Sequence, residues 1–205
     1  MPTSDPPVVY DRPMVDAQTA SELAARHFGI EGRATELESE RDRNFLIRDV
    51  NGDRVVLKVS GREESLELLQ TQHEALARIR ARDPSAGIPE PRRADGGETI
   101  VTDAIAGETH LVSALGWIDG RPLAHARPRT ERQLRSLGQL LGRVASALSG
   151  WDPPAARRPL KWDLGRAGWI AEHLGAIPTA TDRELVRRLF TLYQERAEPA
   201  WAALP

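Results

Sequence analysis

The sequence predicts an α+β fold, with strands filling the first half of the chain and helices the second. Three observations carry this. Asn51-Gly52 lies between two runs rich in Val, Ile, Leu and Phe, the pattern of a hairpin whose primed turn needs positive φ. A segment of helical period, residues 63–82, separates that hairpin from a second β-rich stretch ending at Gly120. From about Thr130 the character changes, with Leu134, Leu137, Leu141, Val144 and Leu148 on one stripe.

Each element has a local reason. Residues 1–14 are rich in proline and are expected to form an extended or disordered lead. Asp16 is placed to cap a helix through His27, with Ala17, Ala20, Leu23, Ala24 and Phe28 on one face and Gly29 as its stop. A first strand is expected over Gly32–Leu37, and the hairpin strands follow, with Lys58 the one charge in an apolar run. Leu66, Leu69, Leu76 and Ile79 give the 63–82 segment its apolar side, and Asp83-Pro84-Ser85-Ala86-Gly87 ends it. Asp95-Gly96-Gly97-Glu98 is expected to turn between two short strands, and Gly107–Leu115 to be the next strand. Thr130 caps a helix through Leu148. Further helices are expected at Arg166–Leu174 and Asp182–Leu204. The domain boundary is expected near 120: a lead over 1–14, a first domain over 15–120, and a helical remainder over 121–205.

Composition narrows the function. The chain of 205 residues is 40% hydrophobic and 28% charged, with a net charge of -2. That balance suggests a soluble globular protein and gives no basic bias toward nucleic acid. No apolar run reaches membrane-spanning length. There is no cysteine, hence no disulfide framework and no thiolate chemistry. The N-terminus lacks the basic start and apolar run of a signal peptide, so a cytoplasmic location is the default expectation. The five histidines have no ligand spacing that suggests a metal, and no G-x-S-x-G nucleophile motif is present. Trp151, Trp162, Trp169 and Trp201 fit helix packing better than an aromatic cage.

A lysine inside an apolar strand either snorkels to water or meets an anion. Its surroundings favour the anion. The phrases Ser39-Glu40-Arg41-Asp42-Arg43-Asn44-Phe45, Val56-Leu57-Lys58-Val59, Trp117-Ile118-Asp119-Gly120-Arg121-Pro122-Leu123 and Leu160-Lys161-Trp162-Asp163-Leu164 occur in this order across most of the chain. Together they resemble the aminoglycoside phosphotransferase family of small-molecule kinases. The likeness is to its hydroxylysine-kinase-like branch, which includes the module at the N-terminus of some bacterial aminotransferase fusion proteins.

The resemblance implies a protein-kinase-like small lobe: an antiparallel sheet of about five strands packed against the 63–82 helix, then the first helices of an incomplete large lobe. It implies an ATP-dependent phosphotransferase acting on a hydroxyl group of a small metabolite, such as an amino alcohol or hydroxy amino acid. The alternative is a non-catalytic nucleotide-binding or regulatory module of a larger fusion enzyme. The expected partners are thus nucleotide and a small-molecule substrate, with fusion to further catalytic domains a possible arrangement. The nucleotide site it implies comprises Ser39, Arg43 and Asn44 in a phosphate-covering loop, Lys58 on the phosphates, and the hinge Leu115, Gly116, Trp117 and Ile118 at the adenine. In the hinge, Gly116 C=O and Ile118 N–H would meet the base, and Leu115 would lie behind it. Glu74 is the candidate acid for Lys58; Glu67 also suits, and in related sequences the pairing position falls nearer Gln70. Phosphoryl transfer also needs a proton acceptor and Mg²⁺ ligands, which in this family lie on a His-x-Asp loop with a downstream Asn and on a later Asp. No His here is followed two residues on by Asp. The chain is therefore expected to be an N-terminal part without catalytic or metal residues of its own, its Mg²⁺ ligands lying beyond Pro205.

Overall fold

The computed structural model describes residues 12–157 and 163–203. The proline-rich lead up to residue 11, and Leu160, Lys161 and Trp162 of the last family phrase, lie outside these. The described residues divide into two compact units, 12–156 in one and 157 with 163–203 in the other.

The first unit opens with helix α1 (Ala17–Phe28). Asp16 caps it by accepting the Thr19 N–H at 2.8 Å. Gly29, at φ 63°, closes it by donating to the carbonyls of Ala24 and Ala25. Strands β1 (Gly32–Leu37), β2 (Arg43–Asp49), β3 (Arg54–Val59), β4 (Ile100–Ile105) and β5 (Glu108–Gly116) form one antiparallel sheet in the order β1-β2-β3-β5-β4. Helix α2 (Leu66–Arg82) enters between β3 and β4, capped by Ser65 on the Leu68 N–H. The α+β class, the five strands and the inserted helix agree with the sequence.

The β2–β3 turn differs from expectation. It is a three-residue loop, Val50-Asn51-Gly52, because Asp49 and Asp53 still pair through their backbones. Only Gly52 takes positive φ, at 89°. The cause is Asp49, whose Oδ1 accepts both the Asn51 N–H (2.8 Å) and the Asp53 N–H (2.7 Å) and so holds the wider loop. The register then sets Arg48 opposite Arg54 and Asn44 opposite Lys58. The run before the 95–98 turn also departs from expectation. Pro89 and Pro91 lack N–H donors, so it makes only an isolated bridge, Pro91 opposite Leu115.

Alternation sorts β3 onto two faces. Val55, Leu57 and Val59 join Phe45, Ile47, Val112, Ala114 and the α1 residues Leu23, Ala24 and Phe28 in the main core. Asp103 of β4 ties α1 to the sheet edge, with Arg26 Nη1 at 2.9 Å and His27 Nε2 at 2.6 Å. On the other side, helix α3 (Glu131–Leu148), opened by a Thr130–Gln133 capping box, packs on the end of α2. Ile79, Ala86 and Ala147 form that contact with Ile88, Leu140, Val144 and Leu148. Arg143 grips Asp83 with two bonds, of 2.6 and 2.7 Å, and Arg82 donates to the carbonyls of Ala147 and Ser149.

In the second unit, Asp163 caps a 3-10 helix over Leu164–Ala176 through the Gly165 N–H. Helix α4 (Ala180–Leu192) and α5 (Glu198–Ala202) flank a π turn over Tyr193–Ala197. The helix expected over 182–204 is present and carries this π turn ahead of Pro199, which donates no N–H and crowds the carbonyl four residues back. Among the described residues no helix is long and apolar enough to cross a membrane.

Two predictions follow from this packing. Phe45→Ala, at a fully buried position, should cost about 3–5 kcal/mol in a denaturant titration. The Arg143 guanidinium holds the Asp83 carboxyl down at about 2, below the usual carboxylate range. The stabilisation is therefore complete above the unfolded value and lost as pH falls toward 2. Wild type should lose α2–α3 protection in hydrogen exchange over that window, and Asp83→Asn should show no such step.

Candidate functional site

The face of the sheet opposite α1 carries Lys58. The register lays out two neighbouring rows there. One is apolar: Leu46, Val56 and Leu115. The next is polar across three strands, Asn44, Lys58 and Ser113, and ends at the apolar Ile100 on β4. Two residues of strand separate the rows along β3, roughly 7 Å. A flat apolar group can lie over the first row while an anion attached to it reaches Lys58.

The β1–β2 connection begins and ends beside the polar row, since Leu37 pairs with Asn44. Ser39 is half-buried in that loop. Asn44 lies beside Lys58. Arg43 does not join them. Strand alternation turns it to the α1 face, where its guanidinium lies 5.9 Å from the Phe45 ring centroid and donates to Val15 C=O at 2.8 Å and to Glu36 at 3.1 Å. At the far end of β3, Gly116 pairs with Val55, and the Trp117 N–H donates to Arg54 C=O at 3.1 Å. The Gly116 N–H donates to Glu90 C=O at 2.8 Å. Leu115 stays on the Lys58 face, and Ile118 is exposed. The Trp117 side chain is held by Arg54, 5.9 Å above its ring, and by Asp119, so it packs on the start of β3.

Lys58 Nζ meets a carboxylate, but not a helix one. It lies 2.9 Å from Asp42 Oδ2. Asp42 Oδ1 accepts the Gly61 N–H at 3.1 Å. Glu67, Gln70 and Glu74 are all exposed on α2, and Glu74 lines an open hollow of about 600 Å³ with Gln70, Arg93 and Glu98. Among the described residues, Lys58 pairs with Asp42, so Glu74 is not its partner. On α2, His73 shares a hydrogen bond with Thr99 Oγ1 at 2.8 Å. Burial, then the charge of Lys58, push the His73 ring below its usual 6.5.

Asp42, His73 and Ser113 were not singled out from sequence. Asp42 carried a signal only through the register: it shares parity with Asn44, and the observed three-residue loop puts it diagonal to Lys58. His73 and Ser113 carried none. Three atoms around the lysine row, Asn44 Oδ1, Ser60 Oγ and Ser113 Oγ, are buried without a hydrogen-bond partner among the described residues, and a buried polar atom without a partner is costly. Among the described residues no three His, Asp or Glu side chains gather to hold a metal ion.

Comparison with known proteins fits this geometry. The sequence profile of the phosphotransferase enzyme family matches residues 33–205. No curated protein matches the chain. Among solved structures, an amicoumacin kinase in complex with AMP-PNP, Ca²⁺ and Ami is similar at a TM-score of 0.63 and 15% identity, over 93% of this chain and 55% of that one. A microcompartment-associated aminopropanol kinase is similar at 0.59 and 17%, over 78% of this chain and 49% of that one. At these identities the likeness shows the fold. The chain spans about half the length of the structures it matches.

The electrostatic contact across the row is measurable without any ligand. In an NMR titration His73 should have its midpoint below 6.5. Lys58→Met should move it upward but not fully back, because burial remains the larger cause. An unmoved midpoint would separate the two side chains.

Proposed function

The chain belongs to the phosphotransferase enzyme family, and on that footing we propose that it is the nucleotide-binding part of an ATP-dependent small-molecule kinase. The observation that carries this is the two-row face of the sheet. Adenine would lie across Leu46, Val56 and Leu115, with its edge at Gly116 C=O and Ile118 N–H. The phosphates would then meet Lys58, flanked by Asn44 and Ser113, under the loop that contains Ser39. Lys58 supplies a point charge where phosphate charge is greatest.

The acceptor is a hydroxyl group of a small metabolite, and an amino alcohol or hydroxy amino acid suits best. The named substrates of the two similar structures, amicoumacin and aminopropanol, support a small-molecule acceptor. AMP-PNP and Ca²⁺ in the first support ATP with a divalent metal. When bound, Mg²⁺ would neutralise phosphate charge and bridge the β- and γ-oxygens.

The test is calorimetry with ATP on this chain and on a longer natural protein that contains it. This chain alone should bind weakly, near about 1 mM or about -4 kcal/mol, with little dependence on Mg²⁺. The longer protein should bind more tightly and with Mg²⁺ dependence, and Lys58→Ala should remove most of that affinity. If the longer protein binds no better and Lys58→Ala changes nothing, the nucleotide site is wrong. If ATP binds well but no phosphoryl transfer to amino alcohols or hydroxy amino acids occurs, a regulatory nucleotide-binding module takes its place.

A further inference from the structure

We infer that Asp42, on the loop ahead of β2, is the positioning acid of the nucleotide lysine, so that helix α2 contributes no acid to Lys58. The inference rests on the nucleotide reading above. Asp42 Oδ2 lies 2.9 Å from Lys58 Nζ, with the two side chains only 14% and 24% exposed. That shielding separates the pair from a screened surface contact between mobile side chains. The carboxylate is fixed from behind as well, because its Oδ1 accepts the Gly61 N–H at 3.1 Å. Gly61 lies at the exit of β3, three residues after the lysine. A Cβ there would come within 3.2 Å of the Arg41 carbonyl, so the loop and the β3 exit are closely apposed at this point.

Helix α2 offers nothing equivalent. Its contribution near Lys58 is His73, which is either neutral or a like charge, and which is committed to Thr99 at 2.8 Å. Glu67, Gln70 and Glu74 stand exposed. The lysine ammonium has three N–H donors. Asp42 takes one and fixes the direction of the side chain, which leaves two for phosphate oxygens. The same short loop thus covers the phosphates and aims the lysine at them, so ordering one orders the other.

The experiment compares Asp42→Asn, Asp42→Glu and Glu74→Gln in the full chain. Lys58 and Lys161 are the only lysines, so ¹³C-dimethylated lysine gives a resolvable Lys58 signal by NMR. Without nucleotide, Asp42→Asn should shift that signal and its titration, Asp42→Glu should restore part of it, and Glu74→Gln should leave it alone. In calorimetry Asp42→Asn should weaken ATP binding about tenfold or more, as expected when one partner of a charge-assisted bond is lost. Adenosine, which has no phosphates, should bind as before. A Lys58 signal that responds to Glu74→Gln and not to Asp42→Asn would return the acid to the helix and overturn the inference. Tighter ATP binding by Asp42→Asn would overturn it too, and make Asp42 a competitor of phosphate. If wild type binds neither ATP nor adenosine, the nucleotide reading fails, while the lysine signal still decides the pair. Should Asp42→Asn fail to fold, Asp42→Glu and the lysine signal carry the same comparison.

Discussion

The structure depends on the strict two-residue alternation of β3. Val55, Leu57 and Val59 must face α1, since they fill the main core. Lys58 is then forced onto the opposite face between Val56 and Ser60. No other placement satisfies both the apolar burial and the charge. A one-residue slip would bring a lysine into the core and put three apolar residues outside it. The sheet therefore holds Lys58 in register far more firmly than any contact of its ammonium does. Its neighbours in the row, Asn44 and Ser113, follow from the same ladder.

Much of the fold was legible because it rests on local chemistry. Asp16 and Thr130 announce their helices as capping residues, and the structure shows both accepting a backbone N–H, as Ser65 does for the helix between them. The strands and the inserted helix could be read from periodicity. The turn type could not be read from Asn51-Gly52 alone. A two-residue turn there would pair Val50 with Asp53 and set Lys58 opposite Phe45. The observed three-residue loop sets Lys58 opposite Asn44, and the deciding group is the Asp49 carboxylate, a side chain reaching two and four residues ahead. The π turn ahead of Pro199 was written in the sequence but outweighed there by the apolar period around it.

The site was legible where the strand ladder determines it and obscure where it does not. Lys58, Asn44 and Leu115 share a face because strand residues alternate. Arg43 belongs to the other face for the same reason, although it sits inside the phrase that carries the family likeness. The expected acid failed differently. Glu67, Gln70 and Glu74 do share one side of α2, but helical period alone says nothing of the rotation of that side against a sheet. Here the buried anchors Leu69 and Ile79 turn it to solvent and bring His73 toward the lysine row.

That rotation is set from a distance. Helix α2 is clamped at its C-terminal end by Ile79 in the α3 contact, by Asp83 in the grip of Arg143, and by Arg82 on the last carbonyls of α3. At its N-terminal end it has the Ser65 cap and the short link from Gly61, where the Asp42 carboxylate is bound. His73 lies between these anchorages and is tied sideways to Thr99 beside β4. The chain around Lys58 is thus held at two ends by unrelated means: a loop carboxylate on one side, and on the other an ion pair and apolar contact with α3. Loosening α3 would free the helix without touching the Asp42 pair, and breaking the Asp42 pair would free the lysine without moving α3. The lysine face of the sheet and the helix packing are therefore separable parts of one unit. Lys58 can keep its anion-facing direction through changes in α2 that would disable it if its acid came from the helix.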